Sequence, residues 1–284
     1  VLVVGAGISG ILAAKNAAKN NYKTLLLDEK NELGGSTIYE NNESNKIDNK
    51  ISSQWLKKEI EELKNIKNLE IKTRTSVAAY HQYNYLLARE NLTDHLEKKD
   101  KTNKIRQRLL KIRAKKVILA TGALERPMVL NNNDRPGIML SSAIKKYSDF
   151  YGVACGRKII FFTNNDSAYE SALSLNDKGI KVEAIVDIRK QSETNLEKRV
   201  IDAGIKIYWE HTVVDTSGYK RLNNVSIMKL SNDGTSVTGN KISISCDCLG
   251  VAGGWTPAVH LYTQSGNKLT FDEDKKIFIP NKNN

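Results

Sequence analysis

The first residues whose spacing could do chemistry are Gly5-Ala6-Gly7-Ile8-Ser9-Gly10. Alone, a G-x-G-x-x-G run is a weak signal. Here it follows an apolar, β-branched stretch at 1–4 and opens a helical pattern over 11–19, the context that diphosphate binding requires. Gly5 suits the tight turn, Gly7 lets backbone approach a pyrophosphate, and Gly10 lets helix and strand pack closely. The helix start offers free N–H groups and the positive end of its dipole. Asp28 closes a second apolar strand, 24–27, at about the 20-residue offset of a ribose-binding acid. A carboxylate there accepts hydrogen bonds from ribose hydroxyls and repels a 2′-phosphate. The expected ligand is NAD, FAD or another adenine nucleotide without that phosphate, and not NADP. Gly5, Ala6, Gly7, Ser9, Gly10, Asp28 and Glu29 are the candidate contacts from this turn and strand end.

Further candidates lie downstream. Leu33-Gly34-Gly35-Ser36 would let a second backbone segment or phosphate contact come close. In Thr75-Ser76-Val77, strand backbone at Val77 could face an adenine edge. Ala120-Thr121-Gly122-Ala123 ends another buried strand, where the chain would cross between domains beside the nucleotide. Arg126, in Glu125-Arg126-Pro127, would pair with a phosphate or brace that crossover. Gly253-Gly254-Trp255-Thr256-Pro257 would return a Gly-rich turn and a helix start to the same cleft, with Pro257 at the first helical position; the competing reading is a packed Trp255 and a capped helix.

Two absences narrow the chemistry. A second β-α-β pattern carries Thr163-Asn164-Asn165-Asp166-Ser167-Ala168 where a glycine fingerprint would stand. Side chains fill the place of bare backbone, and Asp166 or Ser167 suits a helix N-cap. This unit is expected to keep the fold and to have lost or altered dinucleotide binding. The cysteines are Cys155, Cys246 and Cys248, with no CxxC and none near the first turn, so a self-contained disulfide reductase is not expected. Cys246-x-Cys248 is not zinc spacing; in one strand, 241–249, both would face the same side as small buried thiols. His81, His95, His211 and His260 form no metal motif. No catalytic residue stands out.

The elements that must position these residues follow from hydrophobic periodicity. Strand, turn, helix and strand fill the first 28 residues. Residues 54–64 pattern as an amphipathic helix with Trp55, Leu56, Ile60 and Leu63 inward. Residues 75–80, 83–89 and 106–112 read as an antiparallel meander, followed by a buried strand at 116–120. A helix at 141–150 precedes strand 158–162, helix 167–176 and strand 181–187. A helix at 193–203 and strands at 205–210, 212–214 and 225–230 complete the second unit. Loops are expected at 41–50 and 95–104. The 284 residues suggest about two domains. The reading is a first dinucleotide-binding domain from 1–148 and 245–284, with the meander at about 73–114, and an inserted second Rossmann-like domain at 149–244.

Composition excludes several classes. Hydrophobic residues are 40% and charged residues 27%, a globular balance. Net charge is +12, but Lys is spread among Glu and Asn along the whole chain without a nucleic-acid module, so no nucleic-acid partner is expected. No apolar run approaches the ~18 residues that cross a bilayer, so no membrane partner is expected either. The odd, low cysteine count fits a reducing compartment and a cytoplasmic setting. The chain opens on Val1 inside an apolar run and reads as a fragment.

The strings Val117-Ile118-Leu119-Ala120-Thr121-Gly122-Ala123-Leu124-Glu125-Arg126-Pro127 and Asn133-Asp134-Arg135-Pro136-Gly137-Ile138-Met139-Leu140 closely resemble the alpha subunit of heterotetrameric sarcosine oxidase. So do Phe162-Thr163-Asn164-Asn165-Asp166-Ser167-Ala168-Tyr169 and Gly253-Gly254-Trp255-Thr256-Pro257. The resemblance runs over nearly the whole chain and implies an α/β fold of the two-dinucleotide-binding-domain flavoprotein type, here the nucleotide-binding middle of a longer subunit. It implies NAD held by Gly5, Gly7, Gly10, Asp28, Gly34, Gly35 and Thr121-Gly122. It also implies FAD in the beta subunit, FMN at the alpha–beta interface, and beta, gamma and delta subunits as partners. The activity implied is oxidative demethylation of sarcosine, linked to tetrahydrofolate, with oxygen as acceptor and the amine-oxidising residues in a partner. Departures at Asn131-Asn132 and the Lys-rich loop 98–104 look like surface drift. The alternatives are a subunit of a related proline, opine or cyanide-forming dehydrogenase holding FAD or ATP, or a non-catalytic scaffold stabilised by its nucleotide.

Overall fold

The computed structural model describes residues 1–39, 46–100 and 104–281. Part of each expected loop, at 41–45 and 101–103, lies outside the described residues. Two compact units are present, the first Val1–Leu124 with Thr256–Asn284 and the second Glu125–Trp255.

The first unit is built on a parallel sheet. Leu2–Val4 lies between Thr24–Leu27 and Val117–Leu119, and Leu69–Lys72 pairs on the far side of Thr24–Leu27. The two central strands, Leu2–Val4 and Thr24–Leu27, are short, mostly apolar runs covered on both faces, as parallel strands are, while the edge strands Leu69–Lys72 and Val117–Leu119 are partly exposed. On one face Val3, Ala6, Ala14 and Leu26 pack beneath the helix Ile8–Lys19. The helix Ser52–Lys64 buries Trp55, Leu56 and Leu63 against Ile11. On the other face Leu2, Val4 and Leu27 meet Leu86, Ala88, Leu110 and Ile112 of the meander. That meander is Thr75–His81, Tyr85–Asn91 and Gln107–Arg113, antiparallel in that order. The unit ends with the short helix His260–Gln264, three residues beyond the expected start at Pro257, and with a hairpin of Leu269–Asp272 and Ile277–Pro280; only the hairpin was not announced by the sequence pattern.

The second unit holds a five-stranded parallel sheet in the order Ile138–Leu140, Cys248–Ala252, Lys158–Thr163, Lys181–Asp187 and Lys206–Trp209. The helices Ser141–Tyr151, Ser167–Asn176 and Asn195–Asp202 cover one face through Ile144, Tyr169, Leu175 and Val200. The other face packs Ile160, Phe162, Val186 and Leu249 against Val213, Val225 and Ile227 of an antiparallel sheet, His211–Ser217, Asn224–Leu230 and Val237–Ser245.

The boundaries differ from the expected 148/149 and 244/245. Ile138–Leu140 is a strand of the second sheet, paired with Cys248–Ala252, so both segments and the helix after the first of them belong to the second unit. The expected single strand at 241–249 is two strands, Val237–Ser245 and Cys248–Ala252. Asp247 breaks it, accepting the Lys158 N–H at 2.9 Å and the Arg157 N–H at 2.8 Å. The two thiols therefore part company: Cys246 joins the Ile160 cluster and Cys248 the Ile144 cluster, on opposite faces of the sheet.

Glu125 is buried at the start of the helix Ser141–Tyr151, where its Oε2 accepts the Ser142 N–H at 2.9 Å. Its Oε1 has no partner among the described residues. Burial pushes this carboxyl above the usual range, opposed by the Ser142 bond. A raised folded-state value means the unfolded chain ionises first as pH rises. Glu125 thus adds stability that is whole below the ordinary carboxylate value and declines as pH climbs to the raised one. Glu125→Gln is expected to flatten this decline in thermal unfolding scans followed from acid to neutral pH.

Candidate nucleotide-binding site

The Gly-rich turn divides its labour visibly. Gly5 has φ +96°, and a Cβ there would stand 2.2 Å from the Ala120 carbonyl oxygen. At Gly10 a Cβ would stand 1.8 Å from the Gly5 carbonyl oxygen. Both are glycine because backbone passes against them. Gly7 differs: no heavy atom lies within 4 Å of its would-be Cβ. Gly7 is also the N-cap of the helix Ile8–Lys19, and no side chain caps it. The first-turn N–H groups therefore face open space with the positive end of a 12-residue helix behind them. That is a cradle for an anion, and a side chain at Gly7 would fill it.

Asp28 closes the second strand and is buried. Its Oδ2 accepts the Ala6 N–H at 2.6 Å and its Oδ1 the Lys30 N–H at 2.8 Å. The carboxylate thus ties the strand end to the turn. A carboxylate has about four acceptor positions, so capacity for ribose hydroxyls remains. Glu29 and Ser36 are exposed. Gly34 and Gly35 do bring a second segment in: the Gly34 N–H donates to the Ala6 carbonyl at 2.7 Å, and a Cβ on Gly35 would lie 3.1 Å from the Gly7 Cα.

Sheet order decides what lies on the other side. With Leu2–Val4 central, Asp28 stands on one flank of the turn and Ala120-Thr121-Gly122 on the opposite flank. There a cleft of about 420 Å³ is lined by Gly7, Ile8, Ser9, 118–122, 257–259, Tyr262 and Pro280. Thr121 Oγ1 donates to the Ala258 carbonyl at 2.7 Å, and the Ala258 N–H donates to the Gly122 carbonyl at 2.9 Å, fixing that wall. No lining side chain is charged. Anion recognition falls to backbone dipoles and to neutral hydroxyls such as that of Ser9.

Other candidates sit elsewhere. Val77 packs with the Leu2 cluster and is outside the cleft lining. Arg126 belongs to the second unit, where its N–H donates to the Gly254 carbonyl at 2.8 Å and its carbonyl accepts the Gly253 N–H at 2.7 Å. These main-chain bonds hold the returning loop. Trp255 is 41% exposed. Pro257 lies in the short strand Trp255–Pro257 and not at a helix start, because the helix begins only at His260. The sequence pointed to 257–259 through the preceding glycines; for Tyr262 and Pro280 it held no signal, since they reach the cleft by tertiary packing.

In the second unit the corresponding crevice is filled by side chains. Asp187 ends its second strand, as Asp28 does in the first unit, and is almost fully buried. It accepts the Tyr169 hydroxyl at 2.8 Å and an Arg189 N–H at 2.8 Å, and Arg189 also pairs with Asp166 at 2.8 Å. Asp166 is not the side-chain cap expected of it; Asn165 Oδ1 accepts the Ser167 N–H at 3.1 Å instead. Among the described residues no cluster of His, Cys, Asp and Glu could hold a metal ion. No described helix is long and apolar enough to cross a membrane.

Asp28→Asn tests the tie between strand and turn. The amide keeps one oxygen acceptor for two N–H donors, so one buried donor loses its bond. The expected result is a loss of about 1–3 kcal/mol in chemical unfolding, with weaker nucleotide retention.

Relatives share this frame. The alpha subunit of sarcosine oxidase from Corynebacterium sp. (strain P-1) is 37% identical over 282 residues, which is 99% of this chain and 28% of the relative. That from Rhizobium meliloti (strain 1021) is 32% identical over 279 residues, 98% of this chain and 26% of the relative. The chain thus spans less than a third of the length of these curated relatives. Among solved structures, thioredoxin reductase from T. acidophilum superposes with a TM-score of 0.71 at 19% identity, over 96% of this chain and 81% of that one. L-proline dehydrogenase from P. horikoshii gives 0.71 at 23%, over 99% of this chain and 46% of that one. The fold is therefore the α/β two-dinucleotide-binding-domain fold, with parallel sheets and small antiparallel ones. The pyridine nucleotide-disulphide oxidoreductase model matches residues 1–283, and this chain belongs to that family.

Proposed function

We propose that this chain is the NAD-binding core of the alpha subunit of a multi-subunit sarcosine oxidase. The observation that carries this is the uncapped helix start with open space over Gly7, beside the buried Asp28 carboxylate. The 37% identity to a sarcosine oxidase alpha subunit supports the assignment to that enzyme. Backbone N–H groups of 7–9 would hold the diphosphate, Asp28 the adenosine ribose, and the wall of 118–122 with 257–259 the distal half. NAD bound there would supply a pyridinium ring; FAD and FMN of the assembled complex would supply the redox chemistry of amine oxidation and oxygen reduction. This chain's own residues position and exclude. The uncharged wall gives no acid or base to a bound ring, which supports a reading in which a partner subunit carries the amine-oxidising groups.

Disulfide chemistry is not supported, although the family is named for it. All three thiols lie in the second unit, and burial pushes Cys246 and Cys248 up to about 12, far from the thiolate form that attacks disulfides. Unpaired thiols suit a cytoplasmic enzyme. The test is to denature purified full-length subunit and identify the released nucleotide by mass. One NAD per chain is expected; FAD, ATP, NADP or none would overturn the reading.

A further inference from the structure

The meander of the first unit turns one face to its core and leaves the other open. Leu86, Ala88, Leu110 and Ile112 point inward. Directly paired residues share a face, so Arg89 with Leu109, Lys111 with Leu87, and Arg113 with Tyr85 form the outer one. This face carries three cations and no carboxylate. None of the three has an acidic partner among the described residues, and Arg113 lies instead over the Tyr85 ring at 5.7 Å. The nearby acid, Glu90, serves Lys72 and Arg108 and faces inward beside Leu110. Between the cations Leu109 is 61% exposed.

Two ordinary explanations do not cover this. Solvated antiparallel faces match opposite charges across strands, and this one does not. Basic side chains also guard edge strands against pairing, which would explain Lys111 and Arg113 on the edge strand but not Arg89 in the central one. An apolar centre bordered by Arg is the composition of a protein interface. Nucleic acid would ask for open aromatic rings to stack on, whereas here Arg113 lies over the Tyr85 ring and His81 sits 6.0 Å from that same ring.

We infer that the outer face of the meander docks an acidic, partly apolar surface of another subunit of the assembly. This rests on the multi-subunit reading above. Charge complementarity makes association fast and salt-sensitive. The test uses full-length subunit co-expressed with the other subunits, as wild type, R89E/K111E/R113E and the milder R89Q/K111Q/R113Q. The expected result is a loss of intact complex of about tenfold or more for the reversed variant and a smaller loss for the neutral one. Wild-type association should weaken steeply with added salt, while nucleotide content and thermal midpoint of the isolated subunit stay unchanged in all three. If wild type assembles and the reversed variant assembles equally well, this inference fails and the functional reading stands. If the reversed variant loses heparin binding but keeps assembly, the face is a nucleic-acid surface and the inference fails. If wild type assembles with nothing, both readings fall.

Discussion

Asp187→Ala is expected to lower the thermal midpoint of the second unit by on the order of 10 °C. The carboxylate is 1% exposed and holds three partners together: its own strand end, the Tyr169 hydroxyl and the Arg189 guanidinium. Removing it leaves a hydroxyl on a 1% exposed ring without its acceptor, and strips Arg189 of its buried partner. The orphaned Tyr169 hydroxyl and the lost charged partner of the 37% exposed Arg189 together cost about 3–4 kcal/mol. At roughly 2–4 °C per kcal/mol for a domain of this size, the midpoint falls accordingly. Burial and Asp187 both hold the Tyr169 phenol protonated, so the hydroxyl has no alternative ionised state to adopt. Asp166 supplies the control: at 60% exposure, Asp166→Ala is expected to change stability by under about 1 kcal/mol. Calorimetry on the two variants decides it. Equal, small effects would mean that the network is not what holds this crevice shut.

Gly7→Val is expected to separate binding from folding. The residue has φ −69° and ψ −178°, an extended conformation that valine adopts freely, and its Cβ would meet nothing. Stability should therefore fall by no more than about 1 kcal/mol, the loss of a preferred N-cap residue. The branched side chain would nevertheless stand where a phosphate must come within hydrogen-bond distance of the first-turn N–H groups. Nucleotide recovered per purified chain should drop by about tenfold or more, measured by absorbance and mass after denaturation. Full nucleotide content in Gly7→Val would remove the diphosphate from this turn. Gly10→Ala should behave in the opposite way, losing stability and ligand together, because its Cβ would stand against the Gly5 carbonyl oxygen.

Much of the frame was readable from local chemistry. Thr24–Leu27, Ser167–Asn176 and Lys181–Asp187 fall at the residues the pattern indicated, because short apolar runs and a compact helix are bounded there by charged or polar turns. The glycine roles followed from spacing for the same reason. What escaped depended on distant partners. The alternation of Ile242, Ile244, Cys246 and Cys248 looks continuous, yet Asp247 is held by N–H groups some ninety residues away, so the strand ends there. The Tyr262 and Pro280 wall is invisible to periodicity, since its residues meet the turn only after the chain has returned. The unit boundary was misplaced because the strand Ile138–Leu140 is only three residues long and follows turn chemistry, leaving too little pattern to detect.

The cleft draws its walls from residues 7–9, 118–122 and 257–280, so the second unit lies between the making of its floor and the making of its last side. At about 5–20 residues per second, a ribosome takes roughly ten seconds to deliver that insert. The cleft is therefore complete only after the second unit has been threaded between its parts, and a chain cut short before residue 257 would carry the glycine turn without its far wall.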